Sequence, residues 1–470
     1  MDRFRVLAPA LALLATACTV GPDYQRPDPQ VAAEWSAPTP HGDANAALAD
    51  WWARFDDPVL TALQAEAQQN SPTLDQALAR IDQARANLST QRAAGLPSAT
   101  ASAMRTRSKQ VLTTGQDIVA TTSQESLDAS WELDLFGKTR RNVQAARARI
   151  KARADDWHDA RISLAAEVAD DYVRYRGCEQ LAQVLVQETA SQETSARLTR
   201  INANAGFSPA SDAALADAAA ASTRSSLTDQ EGQCDLLVKS LASLTGRPES
   251  QLRASMAAGD LGLPRPASLD VTSLPADLVR QRPDVASSER ELAASNAEIG
   301  AAVANRYPSL TLSGSISTSG GVDQWSFGPS LSLPIFDGGQ RRANVRSARA
   351  SYAYQLAAYR QTVRSAVLEV EQDLVQLDVA RRRQADADLA AQGYHASFMA
   401  TDQLYRAGNA ALLDRETARR TALDAQQSLI NLRVTELRQW IALYKALGGG
   451  WDTTKDTLAD SKRSDGVSPP

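Results

Sequence analysis

The chain has 470 residues, of which 22% are charged, 43% hydrophobic and only 5% aromatic, with 50 basic against 55 acidic residues and a formal net charge of −5. That balance gives no broad cationic surface for nucleic acid, and so few aromatic residues argue against large aromatic-lined pockets. Three widely separated histidines and three cysteines offer no metal-ligand cluster, and no glycine-rich phosphate loop follows a predicted strand, so neither an enzyme nor a bound cofactor is expected.

Arg3 and Arg5 precede an apolar run from Val6 to Ala17, which suits an export signal and is too short to span a bilayer. The run ends Leu14-Ala15-Thr16-Ala17-Cys18, which resembles the lipobox of bacterial lipoproteins, although Ala15 stands where that pattern prefers leucine. The resemblance implies a signal peptide over 1–17 and a lipid anchor at Cys18 bearing diacylglycerol and an N-acyl chain. Ordinary cleavage after Ala17, leaving Cys18 a free thiol, is the plain alternative. Acyl chains contribute about 0.8 kcal/mol per buried CH₂, so several of them amount to a permanent attachment. Thr19 in place of aspartate resembles the signal for transfer to the outer membrane. The rest of 18–55, with Gly21-Pro22, Pro27, Pro29, Pro38 and Pro40, reads as an extended segment, and 448–470 as a disordered tail.

Between these ends the sequence repeats itself. Leu96-Pro97-Ser98 recurs as Tyr307-Pro308-Ser309, an offset of 211, and Leu133-Asp134-Leu135-Phe136 as Leu333-Pro334-Ile335-Phe336, an offset of 200. Val143, Ala146, Arg147 and Ala148 match Val345, Ala348, Arg349 and Ala350 at 202, and Gly206 and Asp212 continue that offset to Gly408 and Asp414. Two units are expected, 56–247 and 270–447, joined by a linker over 248–269.

Each unit reads as a helix, two strands, a very long helix and its return. No proline interrupts 137–204 or 339–406, 68 residues each, so each predicted helix spans about 100 Å. Val345, Ala348, Tyr352, Leu356, Tyr359 and Val363 recur every three or four residues, an alanine-rich seam suited to close packing among several helices. The strands are expected at about 98–106, 122–135, 307–318 and 324–335. Within them Leu127, Ala129, Trp131 and Leu133 alternate with Asp128, Ser130 and Glu132, and Trp325, Phe327 and Leu331 alternate with Ser326, Gly328 and Ser330. A period of two with one polar face marks a transmembrane β-barrel strand. Four strands cannot close, and an open edge is forbidden in hydrocarbon, so copies must share a barrel of eight strands or twelve. Trp131 and Trp325 fit a membrane interface or burial in a belt of helices.

At this point the sequence resembles the TolC-like outer-membrane factors, in particular the NodT-like lipoproteins of tripartite efflux systems of the resistance-nodulation-division type. The residues concerned are Cys18-Thr19-Val20-Gly21-Pro22-Asp23-Tyr24 with Pro27; Trp51-Trp52 with Phe55, Asp57 and Leu60; the run from Leu274 to Val285 continued by Glu289, Leu292, Asn296 and Gly300; and Pro334-Ile335-Phe336-Asp337-Gly338-Gly339. The resemblance implies an α/β membrane protein, a homotrimer with four strands per chain in a twelve-stranded outer-membrane barrel, continued by a long periplasmic α-helical barrel with an internal two-fold repeat. It further implies a periplasmic adaptor and an inner-membrane transporter as partners, and passive conduction of small molecules or drugs to the exterior. A duct for metal ions or type I secretion, or a non-conducting envelope scaffold, is the alternative.

Gly206 and Gly408 sit where the long helices turn back and, with Arg200 and Arg406, are the candidate adaptor-facing tips. The resemblance implies an acidic gate ring near the second tip, but Ala410 stands where aspartate is frequent, which leaves Asp402 and Asp414 as candidates. Arg282-Pro283-Asp284 is read as opening the second forward helix, with Asp284 accepting helix N–H bonds. Cys178 and Cys234 each lie 28 residues from Gly206, so a fold-back there sets them side by side, and a disulfide is expected in an oxidising compartment.

Overall fold

The computed structural model describes residues 19–28, 31–32, 35–38, 51–111, 115, 117–258, 262–264, 281–449 and 451. The signal peptide, Cys18, the stretch 274–280 of the motif above and the tail beyond Trp451 lie outside the described residues.

Helices α1 (Pro58–Asn70) and α2 (Pro72–Ala93) lead to strands β1 (Ser98–Val111) and β2 (Asp117–Leu133), then α3 (Lys138–Asn204) and its return α4 (Ala210–Thr245). After α5 (Glu249–Ala257) the order resumes as α6 (Pro283–Ala304), β3 (Ser309–Ser319), β4 (Val322–Ser332), α7 (Gln340–Arg406) and α8 (Leu412–Ala446). Local chemistry sets the boundaries. Asp57 caps α1 by accepting from Val59 N (2.9 Å) and Leu60 N (3.1 Å), and Pro58 and Pro72 open their helices. The two long helices start alike: Asp134 accepts from Thr139 N (3.1 Å) and Arg140 N (2.9 Å), and Asp337 from Gly339 N (2.9 Å) and Arg341 N (3.1 Å). Each long helix runs unbroken for 67 residues.

The main core is a belt around the middle of the helices, where Trp51 lies 5.8 Å from Trp440 and 5.7 Å from Tyr444, ring centre to ring centre. Beside it the buried Arg176 donates to the Tyr172 hydroxyl (2.8 Å) and to Met256 O (3.1 Å), while that hydroxyl donates to Asp57 (2.6 Å). Burial and the Asp57 bond hold the Tyr172 phenol well above its ordinary value.

Three details differ from the expectations. The linker contains a helix, α5, because Leu252 and Met256, four residues apart, fill the belt core. The first hairpin is longer, β1 reaching Val111 and β2 starting at Asp117, since β1 continues its alternation in charged and polar residues while β2 opens on the apolar run Ile118-Val119-Ala120, which does not alternate; β2 ends at Leu133, and Leu135 lies in the turn. Asp284 accepts only from the adjacent Val285 N (2.8 Å); otherwise it grips Arg282 (3.0 and 2.8 Å), whose guanidinium also reaches Glu369 (2.7 Å) and Ala446 O (2.9 Å). Among the described residues no helix is long and apolar enough to cross a membrane.

Candidate functional site

The strands form one antiparallel sheet in the order β1-β2-β3-β4, and its register sorts the side chains onto two faces. Directly paired residues share a face. Ala101, Leu127, Ile316 and Trp325 form one row, Ala99, Ala129, Gly314 and Phe327 the next, followed by Trp131, Leu312 and Pro329, then Leu133, Leu310 and Leu331. The opposite face carries Thr100, Asp128, Ser315 and Ser326 in one row and Ser102, Ser126, Ser317 and Gln324 in another. Its hydroxyls bond each other, Ser102 to Ser126 at 2.8 Å and Ser315 to Ser326 at 2.9 Å. The apolar face is open: Trp325 is 79% exposed. A contiguous apolar face on a sheet with two unpaired edges needs hydrocarbon against it and further strands beside it. Trp131 and Trp325 both lie on this face; Trp131 Nε1 donates to Gly95 O at 2.9 Å, at the helix-bound end of the sheet.

The N-terminal segment is strapped to that end. Val20 N donates to Phe136 O (3.3 Å), and Arg141 donates to Val20 O (3.2 Å), Gly21 O (3.3 Å) and Asp23 (3.0 Å). Asn296 donates to Pro22 O (3.1 Å) and the Tyr24 hydroxyl to Glu289 (2.6 Å). Gly21 lies so close to Gly300 that a Cβ on Gly21 has no room, and a Cβ on Gly300 would meet the Arg141 side chain.

Far from the sheet, Gly206 and Gly408 end α3 and α7 with φ of +79° and +80°, a conformation only glycine adopts freely. Gly206 N donates to Ala203 O and Phe207 N to Asn202 O, and Gly408 N to Tyr405 O and Asn409 N to Leu404 O, the same cap twice. Arg200 pairs with Asp217. Phe207, which the sequence did not single out, stands 84% exposed at the first tip.

The two gate candidates fare differently. Asp402 is buried between Arg415 (2.6 Å) and Arg406 (2.7 Å), whereas Asp414 is exposed and accepts weakly from Ala411 N (3.4 Å) at the start of α8. Arg415 continues to Ser195 Oγ on α3 (2.9 Å) and to Glu416 (2.7 Å); Gln192 on α3 bridges Glu416 (2.6 Å) and Glu188 (3.0 Å). Arg419 is buried 3.6 Å from Glu188, its guanidinium over the Phe398 ring. Burial raises the Glu188 carboxyl against the pull of Arg419, and burial lowers Arg419. This clasp ties the second hairpin to the first near the tips. Sequence reasoning missed Glu188, Gln192, Ser195, Arg415 and Arg419; the 4- and 3-residue spacing on α3, matched by Arg415 and Arg419 one turn apart on α8, was the available signal.

Cys178 and Cys234 lie at bonding distance across α3 and α4, with Cα atoms 5.6 Å apart. Among the described residues no group of three or more His, Cys, Asp or Glu could hold a metal ion.

The family model described as outer membrane efflux protein matches residues 63–247 and 274–449. Nodulation protein T of Rhizobium leguminosarum bv. trifolii is 30% identical over 95% of this chain and 98% of its own. Outer membrane protein OprJ of Pseudomonas aeruginosa is 32% identical over 96% of each chain. Among solved structures, the outer-membrane channel OprN superposes with a TM-score of 0.81 at 30% identity, covering 92% of this chain and all of that one.

Proposed function

The chain belongs to the outer membrane efflux protein family, and from that premise we propose how it serves as the outer-membrane channel of a tripartite efflux pump. Three copies contribute four strands each to a twelve-stranded barrel, apolar face to the hydrocarbon and hydroxyl-lined face to a water-filled bore. The helix, strand, strand, long helix, return order occurs twice in the chain, as an internal duplication would leave it, so three copies make a ring of six similar staves. Below the sheet the long helices continue that ring into the periplasm. The two-faced sheet with its two open edges is the observation that carries this reading.

The strap supports lipid attachment at Cys18. Thr19 lies against Gly137 at the helix-bound end of the sheet, the end that faces the periplasm in this arrangement. The turns at Gly206 and Gly408, with Arg200 and Arg406, meet the periplasmic adaptor. The resistance-nodulation-division transporter supplies the energy, and this chain conducts small molecules without catalysing a reaction. Of the two gate candidates Asp414 is free to face the axis, while Asp402 holds the clasp that keeps the second hairpin in place. Three Asp414 carboxylates at one level would repel each other and favour cations.

Planar-bilayer recording of the purified, lipid-modified protein tests this. Discrete conductance steps are expected, and a protein that inserts without conducting would overturn the reading.

A further inference from the structure

Resting on the shared-barrel reading above, we propose a specific register for the seam between copies. Strand β4 of one copy pairs antiparallel with β1 of the next so that Phe327, Trp325 and Asp323 stand opposite Arg105, Arg107 and Lys109 of that next copy.

The template lies inside the chain. The unit ending in β2 meets the unit beginning with β3 along a ladder in which Leu133 pairs with Leu310 and Leu127 with Ile316. Beyond the ladder Gly320 N donates to Ser123 O (3.2 Å), and below it Phe136 stacks on Tyr307 at 4.7 Å. The sequence repeats the β2 base at Leu333 to Phe336, an offset of 200, and the β3 base at Leu96 to Ser98, an offset of 211. The same seam between copies therefore pairs Leu333 with Ala99 of the next copy and Leu331 with Ala101. It lays Phe336, 91% exposed, on Leu96, 63% exposed. Every pair so formed keeps apolar face with apolar face.

The chemistry of the two edges agrees. Beyond Ala103 the apolar face of β1 turns cationic, and neither Arg105 nor Arg107 has an ion-pair partner among the described residues. On β4 the facing positions carry two exposed aromatic rings and then a carboxylate. The register sets a guanidinium beside an indole and brings Asp323 to the Lys109 ammonium, which within its own chain also reaches Asp117 (2.5 Å), at the height where the apolar rows end. Glu125, the other carboxylate at that height, sits opposite Ala103 within the chain.

One rival register exists. Ser98 pairs with Ser130 but Ser309 with Ser332, so the second hairpin is slipped by two residues, and Asp337-Gly338 lengthens the turn that follows Phe336. Counting from the helices moves the seam by two, which sets Asp323 against Val111 and separates Phe336 from Leu96. Cation–ring pairs form in both registers; the Asp323 match to Lys109 and the contact of Phe336 with Leu96 select the first.

Cysteine cross-linking on the polar face tests it without touching the cations or rings. Full-length, lipid-modified protein carrying Ser326→Cys with Thr106→Cys is oxidised in outer membranes with copper-phenanthroline in air and run without reductant. Interchain dimer and trimer bands at least about fivefold stronger than for Ser326→Cys with Ser108→Cys are expected. The reverse ranking, or equal yields, overturns the register while leaving a shared barrel in place. No interchain product from either pair, together with a single-chain mass, overturns both.

Discussion

Cys178 on α3 and Cys234 on α4 face each other with their Cα atoms 5.6 Å apart, each 28 residues from the turn at Gly206. The bond proposed between them ties the two helices of the first hairpin together about two-thirds of the way from the tip along α4. Nonreduced peptide mapping of the exported protein is expected to recover the two cysteine peptides joined. Replacing both with serine is expected to cost about 2–4 kcal/mol, read as a lower thermal midpoint. Two free thiols in the mature protein contradict this.

The clasp predicts a contrast between two arginines that share one carboxylate. Arg415→Ala leaves Asp402 buried with half its partners, a loss of about 3–5 kcal/mol for a buried pair, and is expected to raise the open fraction in single-channel recordings. Arg406 is mostly exposed, so Arg406→Ala is expected to leave conductance within error of the parent, as exposed pairs contribute about 0–1 kcal/mol. Equal effects of the two substitutions would show that burial is not what holds the second hairpin.

Asp373 on α7, in the equatorial belt, has its carboxyl pushed up to about 7, first by burial and then by Glu369, with Arg282 opposing. The folded protein therefore binds a proton there that the unfolded chain releases between the ordinary carboxylate range and about pH 7. Stability from this group is complete below the ordinary carboxylate value and is lost as pH rises through about 7. Asp373→Asn is expected to raise the thermal midpoint at pH 8 and to change it little at pH 5, which differential scanning calorimetry at the two pH values checks.

Phe207 presents an apolar ring to solvent at the first tip, where none of the described residues covers it. Phe207→Asp is expected to leave stability within about 0.5 kcal/mol. The same substitution is expected to abolish site-directed cross-linking of this tip to the adaptor. Undiminished cross-linking would remove the ring from the docking surface.

The sequence made the long helices legible because 67-residue elements need an uninterrupted period and an absence of proline, and both are visible in one strand of text. The tip glycines and the cysteine pair were legible by counting, since a hairpin turns sequence distance into spatial distance. The outer half of the first β-hairpin was not, because Arg105, Arg107 and Lys109 alternate with Thr106 and Ser108, while Ile118, Val119 and Ala120 opposite them are apolar in succession and show no period of two. The clasp was hidden for another reason. Glu188 and Arg419 each resemble solvated charges on their own helices, and only the fold brings residues more than two hundred positions apart into contact. The same holds for Gly21 and Gly300, whose lack of side chains acquires meaning only when the strap crosses α6.

In the shared barrel proposed above, one chain supplies a third of the wall. Native mass spectrometry of the lipid-modified protein released from detergent is expected to show a dominant species of three chains carrying acyl chains. A dominant single chain under conditions that preserve other outer-membrane oligomers would contradict it.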